Sequence, residues 1–253
     1  MTDERDSVTE PPAATGPQDA GDRRDEIAAR LATVRARIEA ACRAAGRRSG
    51  EVTLIAVTKT YPVSDIQLLG ELGVTDIGEN RDQEAAPKAA ACAARGLPVT
   101  WHFVGQLQTN KAASVVSYAQ VIHSVDRLRL VRALGSRATA AGRTVTCLVQ
   151  VSLDDDPARG GAIGPEVATV ADAVAGQDGL VLGGVMAVAP LGVAADVAFR
   201  KLKQVADAVR LAHPGAAMIS AGMSDDLEQA IEAGATHVRV GTALLGGRRA
   251  SVR

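Results

Sequence analysis

Aromatic side chains make up only 2% of the 253 residues, with one Trp, two Tyr and two Phe. A chain so poor in rings has few platforms on which bases can stack. Its formal net charge of -1 shows no basic excess, so little is available to hold a phosphate backbone. Both counts speak against nucleic acid as a partner. Cysteine is also scarce: Cys42, Cys92 and Cys147 are odd in number and far apart. Buried or neutral thiols in a reducing compartment fit that pattern better than disulfides or a metal cluster. No apolar stretch reaches membrane-spanning length, so no membrane role is expected. Gly-x-Ser-x-Gly, Walker, Cys-x-x-Cys and His-Glu-x-x-His patterns are all missing, which leaves hydrolase and nucleotide-triphosphate chemistry without support.

What is present is apolar and regularly spaced. With 47% hydrophobic residues, the chain is long enough for a full-sized core. Residues 1–24 are rich in Asp, Glu, Pro, Thr and Ala and lack an apolar segment. They read as a disordered tail, not a signal peptide, and the expected location is the cytoplasm. Residues 25–253 read as one domain. It opens with a helix over 25–45, where Ile27, Leu31, Val34 and Ile38 recur at helical spacing, and Gly46 marks its end.

Beyond that helix the pattern alternates. Apolar, β-branched runs at 52–58, 74–77, 99–104, 121–125, 145–151, 180–189, 217–220 and 237–240 predict eight strands. Ala/Leu-rich amphipathic stretches lie between them, among them 128–141, 193–212 and 225–233. Such alternation argues for a parallel sheet with crossover helices. Eight units in about two hundred residues fit a closed (β/α)8 TIM barrel better than an open sheet. Successive strand residues face opposite sides. In the last strand, Val238 and Val240 suit the helix-covered face, which turns His237, Arg239 and Gly241 inward. By the same count Lys59 shares a face with Thr53, Ile55 and Val57. First and eighth strands pair when a barrel closes, so Lys59 and Arg239 are expected on neighbouring strands.

Several residues fall where parallel α/β folds place their chemistry, at the C-terminal ends of strands. Lys59 ends the first strand. On its own it reads as a solvated lysine, but lysine is the side chain that forms a reversible Schiff base with an aldehyde cofactor. Arg239 faces inward and needs a partner there, since an unpaired buried charge is costly. Backbone amides at 222–224 and 241–242, with the hydroxyls of Ser220, Ser224 and Thr242, suit either a phosphate or routine helix capping. Asn80 supports a ring or makes a turn, and His102 reads more readily as a satisfied core histidine than as a base. Asp154-Asp155-Asp156, continued by Pro157-Ala158-Arg159-Gly160-Gly161, reads as a solvated acidic loop; no metal site is expected.

Taken in order, Ala56-Val57-Thr58-Lys59-Thr60, Ile77-Gly78-Glu79-Asn80 and the run from Trp101 to Lys111 resemble the pyridoxal phosphate homeostasis family. So do Gly184-Val185-Met186-Ala187, Gly222-Met223-Ser224-Asp225-Asp226 and Val238-Arg239-Val240-Gly241-Thr242. The resemblance implies the barrel of the alanine racemase N-terminal domain, here with an extra N-terminal helix. It implies pyridoxal 5'-phosphate (PLP) held as a Schiff base on Lys59, phosphate contacts from Ser220, Met223, Ser224, Gly241 and Thr242, and Asn80 beside the ring. Arg239 would meet the pyridine nitrogen. Two details depart from the family pattern, Ala221 and Arg159-Gly160. An arginine only donates, so it leaves that nitrogen unprotonated and the ring a poor electron sink. The second-domain tyrosine base of alanine racemase has no counterpart, since Tyr61 and Tyr118 are the only tyrosines. The implied function is a monomeric, non-catalytic PLP carrier in PLP homeostasis, affecting amino-acid and keto-acid balance, with apo PLP-enzymes as candidate recipients. The alternative is a PLP-dependent racemase or related enzyme with Lys59 as sole base.

Overall fold

The computed structural model of the protein describes residues 17–154 and 160–247. The chain opens with α1 (Pro17–Ala44), whose Ile27, Leu31, Val34, Ile38 and Cys42 are buried along one stripe. Gly46, at φ +67, ends it. The Gly46 N–H donates to Arg43 and the Arg47 N–H to Cys42, at 3.1 and 2.8 Å, which satisfies carbonyls that the helix end would otherwise orphan.

Eight strands follow: β1 (Thr53–Val57), β2 (Asp76–Glu79), β3 (Thr100–Phe103), β4 (Val121–Val125), β5 (Val145–Gln150), β6 (Leu180–Met186), β7 (Met218–Ser220) and β8 (His237–Val240). They close into one parallel barrel in sequence order, with β1 paired to β8. Their crossovers are α2 (Val63–Glu71), α3 (Asp82–Ala94), α4 (Ala112–Tyr118), α5 (Leu128–Ala140), α6 (Glu166–Ala175), α7 (Ala195–Ala212) and α8 (Leu227–Glu232); α9 (Thr242–Leu245) follows β8. The expected fold class is therefore present, extra helix included. Cys42, Cys92 and Cys147 are free and buried, and burial pushes the Cys147 thiol up to about 12.

Parity works as the sequence predicts. Val238 and Val240 pack outward with Ile27, Leu31, Leu227 and Leu244, while Arg239 turns inward in register with Ile55 of β1. Outside the barrel the core is apolar and falls into two large clusters, with Tyr118 packed against both. Inside it is divided. Val121, Leu148 and Met186 form a small apolar cluster, and beside it and Ile55 the interior carries the buried polar side chains of His102, His123, Ser220 and Arg239.

Among the boundaries that differ from expectation, three have a clear physical cause. Residues 17–24, assigned to a disordered tail, are helical. Arg23 anchors them: it is buried, donates to Asp65 at 2.6 Å and to the Leu245 carbonyl at 3.0 Å, and lies over the Tyr61 ring. No composition rule reveals so distant a partner. The rest of that tail, residues 1–16, lies outside the described residues, as does 155–159 of the acidic loop. The second strand begins at Asp76, since the Val74 N–H closes the end of α2 on Leu69. The sixth ends at Met186, because the chain there turns the Ala187 carbonyl towards Arg239.

Candidate functional site

Lys59 stands just beyond β1, exposed, with no hydrogen bond or ion pair among the described residues. The backbone around it is clamped instead. Thr58 Oγ1 donates to Glu79 Oε1 at 2.6 Å, and Lys88 Nζ donates to both the Thr58 carbonyl and Glu79, at 2.8 and 2.7 Å. Thr60 lies at φ +70, a region that a β-branched residue enters only under strain of about 1–3 kcal/mol. Its N–H donates to Glu84 at 3.0 Å. Glu79 is almost fully buried; burial raises its carboxyl, against the lowering by Lys88 and Thr58.

Arg239 is its counterpart on β8. It is buried, and its guanidinium donates to Ser220 Oγ at 2.7 Å and to the Ala187 carbonyl at 3.0 Å. No carboxylate pairs with it among the described residues. Burial pushes it down to about 10, opposed only by the more distant charge of Asp226. The remaining guanidinium N–H groups have no acceptor among the described residues, so the site offers directed, charged donors.

The turn after β7 lies beside it. Gly222 holds φ +89, and a Cβ there would meet Ala230 at 2.6 Å. Its carbonyl accepts from the Arg239 N–H at 2.9 Å. The Met223 N–H is taken by Asp226 Oδ1 at 2.6 Å, and Ser224 Oγ accepts from the Ala243 N–H at 3.2 Å. That last bond ties this turn to the start of α9, which Gly241 and exposed Thr242 open. The N–H groups of Gly222, Ser224 and Thr242 have no acceptor among the described residues. Acceptor-free amides of this kind, near a buried guanidinium, suit an oxyanion.

Asn80, half-buried, directly follows β2. Gly105 lies so close beneath it that any Cβ there would overlap the Asn80 carbonyl, which explains a glycine in the third strand's loop. Two expected phosphate contacts look different in place. Ser220 is fully buried, with its hydroxyl between Arg239 and His123. Met223 has its amide engaged and its side chain outward. Lys59, Asn80, Ser224, Arg239, Gly241 and Thr242 all cluster at the C-terminal ends of β1, β2, β7 and β8.

Two contributors escaped the sequence reading, His123 and Asp76. His123, inward on β4, joins Ser220 to His102, and His102 reaches Asp76. The available signal was a histidine within the otherwise apolar run Val121-Ile122-His123. Burial holds His123 well below its ordinary pKa and His237 at about 4.

The alanine racemase N-terminal domain family model matches residues 30–249. A pyridoxal phosphate homeostasis protein of Mycobacterium tuberculosis strain H37Rv is 43% identical over 246 residues, covering 90% of this chain and 95% of the relative. This chain belongs to the pyridoxal phosphate homeostasis protein family. The Escherichia coli K12 member is 36% identical, over 88% of this chain and 97% of its own length. PipY of Synechococcus elongatus PCC7942, solved with PLP bound, superposes with a TM-score of 0.76 at 33% identity, covering 87% of this chain and all of PipY. Alanine racemase of Corynebacterium glutamicum, at 15% identity and a TM-score of 0.63, covers 91% of this chain and 63% of its own. At that distance the likeness is one of fold. Among the described residues no helix is long and apolar enough to cross a membrane, and no His, Cys, Asp and Glu group suits a metal ion.

Proposed function

We propose that the protein binds PLP, tethered through Lys59, and serves PLP homeostasis as a carrier and not as an enzyme. The observation that carries this is the pairing of β1 with β8. It sets an unpartnered, exposed amine beside a buried guanidinium with free donors and a turn with acceptor-free amides. The residues present fit the cofactor. The Gly222, Ser224 and Thr242 amides, with the Ser224 and Thr242 hydroxyls and close-packed Gly241, receive the phosphate. Arg239 donates to the pyridine nitrogen, and Asn80 borders the ring. When bound, PLP supplies an aldehyde to the lysine and an electron-withdrawing ring.

The family's relatives carry the homeostasis name, and PipY was solved with PLP. The chain's own residues argue for the carrier reading over a racemase. Arg239 stays protonated even at its lowered pKa, so it donates to the pyridine nitrogen and does not protonate it. Neither tyrosine is free to act as a second base. Tyr61 OH donates to the Gly246 carbonyl at 2.7 Å, and Tyr118 packs edge-on against Trp101 with its hydroxyl towards Asp82. We take the carrier to act as a cytoplasmic monomer and apo PLP-enzymes to be its recipients.

Absorbance titration tests the tether. Added PLP should give a Schiff-base band in wild type and none in Lys59→Ala; a protein that ignores PLP sinks the proposal. Incubating the loaded protein with each amino acid in deuterated water separates carrier from enzyme. Exchange of the α-proton at a catalytic rate would reject the carrier reading and favour a racemase.

A further inference from the structure

A continuous chain of side chains crosses the barrel interior. Arg239 Nη1 lies 2.7 Å from Ser220 Oγ, which is 2.9 Å from His123 Nδ1. His123 Nε2 is 3.0 Å from His102 Nδ1, and His102 Nε2 is 3.0 Å from Asp76 Oδ1. Ser220, His123 and His102 are buried. Asp76 is about one-third exposed and lines a cavity of about 370 Å³ with Thr53 and Thr75, at the opposite end of the barrel from Lys59.

With one proton on each imidazole, the two ends determine where every hydrogen lies; a doubly protonated His102 would instead leave His123 with its proton on Nδ1, donating to Ser220. Arginine only donates, and a carboxylate only accepts. Burial above all keeps His123 neutral. Suppose the His123 proton sat on Nδ1. Its Nε2 would then accept, and His102 would have to donate from Nδ1. A His102 with one proton would then turn a bare Nε2 on Asp76, acceptor against acceptor at 3.0 Å. With both imidazoles protonated on Nε2, each contact holds one hydrogen. His102 donates to Asp76, His123 donates to His102, and the Ser220 hydroxyl donates to His123. Ser220 Oγ is left to Arg239 as an acceptor.

We propose that His123 and His102 are positioning residues that commit the Ser220 proton inward, making Ser220 an acceptor that orients Arg239 and not a donor to the phosphate. The consequence for the cofactor rests on the PLP reading; the arrangement of protons does not. Phosphate donation then falls to Ser224, Thr242 and the Gly222 amide, while Ser220 acts through the arginine at the pyridine end.

Pyridoxal, which lacks the phosphate, separates these roles. Ser220→Ala should weaken PLP and pyridoxal alike, by about tenfold, the worth of one hydrogen bond to a charged group. Ser224→Ala should weaken PLP alone. His123→Leu should repeat the Ser220→Ala pattern, and His123→Asn, whose side-chain oxygen replaces Nδ1 as acceptor, should restore binding. A Ser220→Ala variant that loses affinity only for PLP overturns the proposal. Long-range proton–nitrogen NMR of histidine-labelled wild type needs no variant and no ligand. It should find a single ring hydrogen on each of His123 and His102, on Nε2; a His123 proton on Nδ1 also overturns it. Wild type that takes up neither ligand would remove the PLP reading and the positioning role with it, with the proton arrangement still decided by NMR.

Discussion

Strands β1 and β8 lie side by side and deliver one cation each to the same end of the barrel, by opposite means. Lys59 is exposed and unpartnered, and its backbone is clamped from outside the barrel by Thr58, Glu79, Lys88 and Glu84. Arg239 is buried, and its side chain is clamped from inside by Ser220 and the Ala187 carbonyl. On the proposed roles, the difference follows from what each group would do. A lysine that attacks an aldehyde must give up its proton, and a carboxylate partner would hold that proton in place. The protein therefore directs Lys59 through its main chain and leaves the amine alone. An arginine that must stay charged and correctly turned is directed through its N–H groups, and the fold bears the cost of burying it.

Four measurements sharpen or break this contrast, from the largest effect down. Lys88→Met leaves the Glu79 carboxylate buried without its cation and should cost ~3 kcal/mol in urea unfolding; a loss below 1 kcal/mol would show that the outer clamp does not depend on the ion pair. Acid should act on the inner side. His237 is held at about 4 against an ordinary 6.5, mainly by burial. Its contribution is complete above pH 6.5 and disappears as pH falls towards 4, up to about 3 kcal/mol, because the unfolded chain takes up the proton first. His237→Gln should flatten stability over that interval, and an unchanged slope would refute the assignment. Arg239→Met should raise the apo-protein's stability by about 1–2 kcal/mol, since removing a desolvated charge outweighs losing its two hydrogen bonds, to Ser220 Oγ and the Ala187 carbonyl. A destabilised variant would mean that the guanidinium supports the fold. Lys59→Met should change stability by less than about 0.5 kcal/mol, read from the same urea curves, and a larger loss would contradict its isolation.

Much of this contrast was legible from residue types and spacing. The eight apolar runs, the inward parity of Arg239 and the adjacency of its strand to that of Lys59 follow from period-two alternation and barrel closure. The strand-end positions of Lys59 and Asn80 follow as well. The helical start at Pro17 was not legible, because Arg23 meets Asp65 and the Leu245 carbonyl across 42 and 222 residues. Nor was the role of Ser220, whose hydroxyl direction depends on His123, 97 residues away.

Sequence alone determined which side chains face the barrel interior and which strand ends carry a lysine, an arginine and a glycine-bearing turn, because those depend on local periodicity. Tertiary structure alone decided which inward groups touch. Barrel closure brings Asp76, His102, His123, Ser220 and Arg239 from five strands into one line. Hydrogen bonds act over about 3 Å whatever the separation along the chain, so that line was not readable from residue order.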